Sequence, residues 1–258
     1  MFFRKLHSDW IRTQHTAIRI IAYFTPIIYP ILILWYGIYG KEKELWQMEI
    51  YSTFYQGISI LLPFIIGLLI AIIVQQEELC GDLRRLLSEP LPRAKVYISK
   101  LTMCILIISI DIILATLILL IGMGVILNIE NIHYLQFIAG SALLIISILF
   151  LNGIHLLISF SLGFGSSIIL GSIGSLIAAL MGTGLGDFIW QFVPWAWPAR
   201  LSCFPYMSIP EYLNLYNGKL EYINKQLVTG LILSIALFIV ISIIGIVWFK
   251  SFEGKKKY

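Results

Sequence analysis

The chain has 258 residues, 59% of them hydrophobic and only 12% charged, with a net charge of +4. Soluble globular domains carry about 25% charged residues, so this composition, with a mean hydropathy of +0.90, excludes a soluble fold and points to a polytopic membrane protein. A membrane barrel is excluded because alternating polar and apolar residues are absent. A disulfide framework is excluded because Cys80, Cys104 and Cys203 fall at different depths.

In chain order, residues 1–17 place Phe2, Phe3, Leu6, Trp10 and Thr13 on one helical stripe. Arg4, Lys5, His7, Asp9, Arg12 and His15 occupy the rest of the circumference. That pattern predicts an amphipathic helix lying in the headgroup layer. A crossing helix needs about 20 apolar residues, which predicts six spans at 18–39, 56–76, 101–127, 135–160, 166–183 and 226–249. The first run is long enough to cross and no small-residue cleavage site follows it, so no cleavable signal is expected. Pro26 and Pro30 in the first span and Pro63 in the second predict kinks.

Between the second and third spans, residues 77–100 form a polar segment with leucines at helical spacing, interrupted by Pro90 and Pro92. Asp111 then falls near mid-membrane, where a charge costs about 2.5–3.5 kcal/mol or more. Asn152 and His155 in span four are candidate partners for it. Two readings stand open: a polar spot on a transport path, or a buried packing contact. Residues 161–166 are short and uncharged and predict a tight hairpin. Ser167, Gly171, Ser175 and Ala179 then repeat every four residues, a row that lets another helix approach closely. Segment 184–225 is crowded with aromatics, including Trp190, Trp195 and Trp197. It is read as re-entrant or interfacial helices broken at Pro194, Pro198, Pro205 and Pro210.

With both termini inside, thirteen of the 18 basic residues lie on the cytoplasmic side and five outside. The positive-inside rule therefore predicts cytoplasmic termini, and the basic excess belongs to lipid headgroups rather than nucleic acid. No phosphate-cradling GxxxxGK[ST] loop, no GxSxG elbow and no zinc-spaced Cys/His set occurs, so nucleotide hydrolysis, nucleophilic hydrolysis and metal binding are not expected in this chain. Glu77-Glu78 is similar to the EExxxR signature of CAAX-processing-type membrane proteases, but Asp82 stands where the arginine must be.

The segment after span two resembles that of ABC-2-type permeases, the membrane subunits of ATP-binding-cassette exporters. The resemblance runs without gaps through Glu78, Gly81, Leu83, Leu86, Leu87, Pro90, Arg93 and Lys100. Asp82 and Arg84 depart from the pattern, where Thr and an acid are usual. The resemblance implies an all-α membrane fold of the type V exporter class, one transmembrane domain over residues 1–258. It also implies a cytoplasmic coupling helix at 79–89, with Leu79, Leu83, Leu86 and Leu87 docking on an ATPase and Glu77, Glu78, Arg84 and Arg85 orienting it. ATP and Mg would be bound by two copies of that separate ATPase, with no cofactor in this chain. A second six-span permease, different or identical, would complete the transporter.

A narrower resemblance joins SDWIRTQHTAIRIIAYFTPIIYPILILWY (8–36) and GLGDFIWQFVPWAWPARL (184–201) to permeases of lantibiotic self-immunity transporters of the nisin, epidermin and mutacin type. It implies a Gram-positive plasma membrane and a lantibiotic, a cationic bacteriocin peptide, as cargo. Candidate path residues are Asp111, Asn152, Asp187, Trp190, Trp195 and Trp197. The aromatic segment could equally anchor the outer rim, with Arg200 pairing Asp187. Other ABC-2 cargoes, a drug, a lipid-linked glycan or sodium, and a non-transporting scaffold are the alternatives.

Overall fold

The computed structural model describes residues 6–7, 9–11, 13–14, 16–39, 46–79, 92–207, 209 and 220–252. The main helices are α1 (Ala17–Ile38), α2 (Trp46–Leu79), α3 (Arg93–Val125), α4 (Tyr134–Ser147), α5 (Leu149–Leu162), α6 (Phe164–Met181), α7 (Trp197–Met207) and α8 (Leu220–Ser251). Three 3-10 turns, Gly184–Gly186, Trp190–Phe192 and Pro194–Ala196, lead into α7. No strand occurs among the described residues. Among the described residues six helical stretches are long and apolar enough to cross a membrane, with α4 and α5 together forming the fourth. Helices are the solution because a backbone in lipid must bond to itself.

All six predicted spans are present, but their ends differ in a consistent way. The second helix begins at Trp46 rather than 56, and the third at Arg93 rather than 101. A hydropathy ruler stops at Gln47, Glu49 and Lys95, whereas the helix continues because its buried face continues: Ile50, Tyr51, Phe54 and Tyr55 before span two, Val96 and Tyr97 before span three. The fourth crossing breaks at Ile148. There the Ser147 hydroxyl donates to the Leu144 carbonyl and the Asn152 amide to the Ile148 carbonyl. Such side-chain competition for backbone acceptors bends helices.

Helix α2 is the hub, packed against α1, α5, α6 and α7. Its closest neighbour is α6, through small residues. A Cβ added at Gly171 would lie 2.7 Å from the Pro63 carbonyl oxygen, and one at Gly67 would lie 2.7 Å from that of Ser167. The Ser167 hydroxyl completes the contact by donating to the Gly67 carbonyl at 3.0 Å. The small-residue row therefore packs within the same chain. Its buried members are Ser167, Gly171, Gly174 and Ala178, because a helix of 3.6 residues per turn drifts off a strict four-residue repeat. Gly163, at φ 97°, makes the sharp turn from α5 into α6 that a side chain would strain.

Candidate functional site

Three places along the bundle hold the chemistry. The first lies at the end that carries the N-terminal segment. Lys100, 2% exposed, sits between Asp9 and Glu77, themselves 1% and 9% exposed. Its ammonium donates to Asp9 Oδ1 at 2.9 Å and to Glu77 Oε1, while the Ser99 hydroxyl donates to Asp9 Oδ2 at 3.2 Å. One buried cation thus ties the segment before α1 to the end of α2 and the start of α3. Asp9 was not among the sequence candidates, because the helical stripe puts it on a headgroup-facing side. In the structure Asp9 and Thr13 point inward and Trp10 outward, a rotation set by the partner at Lys100. Trp10 instead meets the Arg19 guanidinium, 5.1 Å from its ring centre. Phe2, Phe3, Arg4, Lys5, Arg12 and His15 lie outside the described residues.

Glu77 and Lys100, sequence candidates for coupling to an ATPase, thus meet each other inside the fold. Arg93 does similar work beside them. Its guanidinium donates to the Lys250 and Phe252 carbonyls at 3.0 and 2.9 Å, capping the open end of α8. Glu78 is half-buried and Leu79 is 80% exposed. Gly81, Leu83, Arg84, Arg85, Leu86, Leu87 and Pro90 lie outside the described residues.

The second place is at mid-membrane. Asp111 does not reach Asn152 or His155, contrary to the sequence expectation. The Asn152 amide is engaged at the α4–α5 break, and His155 Nδ1 shares a hydrogen bond with the Ser167 hydroxyl at 3.0 Å. Both belong to α5, on another side of the bundle. Asp111 is half-buried and lines a cavity of about 270 Å³ between α1, α2 and α3.

The third place is the opposite end. Here Trp197 is fully buried and Trp190 4% exposed, so neither offers a broad surface as the sequence reading expected. Trp197 packs edge-on against Phe150 and donates its indole N–H to the Gln191 carbonyl at 2.9 Å. Trp195 fills the notch at Gly174, where a Cβ would come within 2.3 Å of its ring. The prolines also act differently from expectation. Pro198 sits in the first turn of α7, where no backbone donor is needed, and Pro205 lies in its last turn, so neither breaks the helix. Pro210 lies outside the described residues.

Arg200 donates to the Met181 and Thr183 carbonyls at 2.9 and 2.6 Å and pairs with Asp187 at 2.8 Å. The anticipated Asp187–Arg200 pair is therefore present, and it also caps α6. Nearby, a cavity of about 580 Å³ is walled by Gln56, Trp190, Cys203, Phe204, Tyr222 and Gln226, with Asp187 and Phe188 at its edge. Tyr51 and Tyr55 were missed in the sequence because they fall before the predicted span. The Tyr51 hydroxyl donates to the Ser202 carbonyl at 2.6 Å, and that of Tyr55 to the Phe137 carbonyl. Their spacing of four with Gln47, on one helical face, is the signal that could have found them.

Six apolar helices, a buried charged collar at one end and an aromatic cap at the other define a multi-pass membrane protein. No group of metal-ligating side chains occurs among the described residues. The sequence matches the family described as ABC-2 family transporter protein over residues 6–183, and the chain belongs to that family. It is accordingly a membrane permease subunit, and the family implies an ABC ATPase as its partner. No curated protein and no solved structure matches the chain.

Proposed function

We propose that this permease expels a cationic amphipathic peptide of the lantibiotic class from the membrane of the cell that makes it, conferring self-immunity. The observation that carries this reading is the 580 Å³ cavity under the aromatic cap. Phe188 and Tyr222 supply exposed apolar faces, and Gln56, Gln226 and the edge carboxylate Asp187 supply polar contacts. An amphiphile needs both kinds of surface; a sugar polymer or a sodium ion has little use for ring faces. On this reading the cap faces outward and the termini face the cytoplasm.

Energy enters from two copies of a separate ATPase, which bind ATP and Mg, through the segment 79–89 docked by Leu79, Leu83, Leu86 and Leu87. The exposure of Leu79 at the end of α2 supports such a docking face. Glu77 and Lys100, bracketing that segment, would pass its displacement to α2, α3 and the N-terminal segment together. A second six-span permease, or a second copy of this chain, completes the pathway. A smaller amphiphilic drug is the second reading, favoured by the modest volume of the mid-membrane cavity.

The test is the peptide sensitivity of cells with and without this chain and its ATPase. Protection that needs both supports the reading. Unchanged sensitivity with the chain present in the membrane would overturn it.

A further inference from the structure

The mid-membrane cavity has an unusual division of chemistry. Phe24, Leu32, Ile58, Leu62 and Ile112 make its walls apolar, and Asp111 is the only charged side chain among the described lining residues. No Lys, Arg or His lines it among the described residues. A carboxylate at this depth is costly to hold ionised unless a cation or polar groups accompany it. The wall adds no cation: Thr25 and Pro26 line it as well, and the Pro26 carbonyl lacks its helical donor because Pro30, four residues on, has no N–H. The Tyr29 hydroxyl donates to the Phe54 carbonyl at 2.8 Å, which pins α1 to α2 and fixes the cavity's width.

The mouth differs from the interior. Phe24, Ile28, Leu32 and Leu61 are between 45% and 58% exposed, on faces that a membrane-spanning helix presents sideways. An apolar stem can therefore enter from hydrocarbon while a polar head reaches Asp111. The volume, about 270 Å³, lies at the low end for ligand pockets and admits one side chain or alkyl head rather than a peptide.

We propose that this cavity binds one primary ammonium carried on an apolar stem, with Asp111 as its counter-ion. This deepens the cargo class proposed above and rests on it. The ammonium's donors suit the Asp111 carboxylate, a charge-assisted contact. The same chemistry can arrive on a lysine side chain of a peptide or on a free alkylamine.

The test uses the full chain in phosphatidylcholine nanodiscs and radiolabelled dodecylamine, with dodecanol as the uncharged match and empty discs to subtract partitioning. Saturable binding, about tenfold tighter for the amine than for the alcohol, is expected from a charge-assisted contact. Asp111→Asn should abolish that preference while leaving thermal unfolding unchanged. Ala115→Leu, which fills the cavity without touching the charge, should weaken both ligands equally. Displacement by a synthetic Leu/Lys peptide assigns the ammonium to a peptide side chain, and failure to displace assigns it to free amines. Equal binding of amine and alcohol by the native chain, or undiminished preference in Asp111→Asn, would overturn the assignment. No ATPase or lantibiotic enters this assay, so its failure is distinct from a failure of peptide protection in cells.

Discussion

At the end carrying the N-terminal segment, three chain segments are held together by one ammonium between two carboxylates, all buried. At the opposite end Tyr51, Tyr55 and Tyr206 hold α2, α4 and α7 together with hydroxyls and ring faces. Neutral hydroxyls donating to carbonyls lose little if a neighbour shifts, and ring packing tolerates small slides. A buried ion network is conditional. Its stability depends on the pairing of its charges, and removing one member is costly. The ionic end is the one that brackets residues 80–91, where the proposed drive enters.

The contrast can be broken by substitution, and the largest effect belongs to the ionic end. Lys100→Met removes the buried ammonium from between Asp9 and Glu77 and should cost about 3–5 kcal/mol, read as lost folded protein in a denaturant series of the purified chain. Adding Glu77→Gln to that variant should recover part of the loss. Wild-type stability of Lys100→Met would show that the network does not hold the end together. At the aromatic end Trp197→Ala should cost about 3 kcal/mol through the cavity it leaves, measured the same way. Because the α2–α6 crossing joins the two ends, Gly171→Val tests it. Crowding the Pro63 carbonyl should cost about 1–3 kcal/mol. Tyr55→Phe should cost only about 1 kcal/mol, since its ring packing survives. If Tyr55→Phe proved worse than Lys100→Met, the comparison would be reversed.

Much of the fold was legible because one rule dominates it. Twenty apolar residues in lipid make a helix, and that rule found all six crossings. It failed at their ends, where Tyr51 and Tyr97 extend helices whose buried faces are mixed with Gln, Glu and Lys. The small-residue row announced a close packing, and Gly67 and Pro63 proved to be its partner. The ionic end was not legible, since Asp9 and Lys100 are brought together only by tertiary folding and each alone resembles a headgroup contact. Trp197 was misjudged for a related reason. Aromatics beside prolines read as a membrane rim, but α7 begins at Trp197 and turns it into the core. Asp111 was found by depth alone, while its surroundings, α1 and α2 rather than Asn152 and His155, depended on which helix faces meet.

The proposal that an ATPase drives this permease through its polar segment is tested most directly by replacing Leu83 and Leu86 together with Asp, in cells that also carry the ATPase. Peptide protection should be lost, and the ATPase should no longer copurify, while the amount of permease in the membrane stays constant. Full protection with the ATPase still bound would contradict the account.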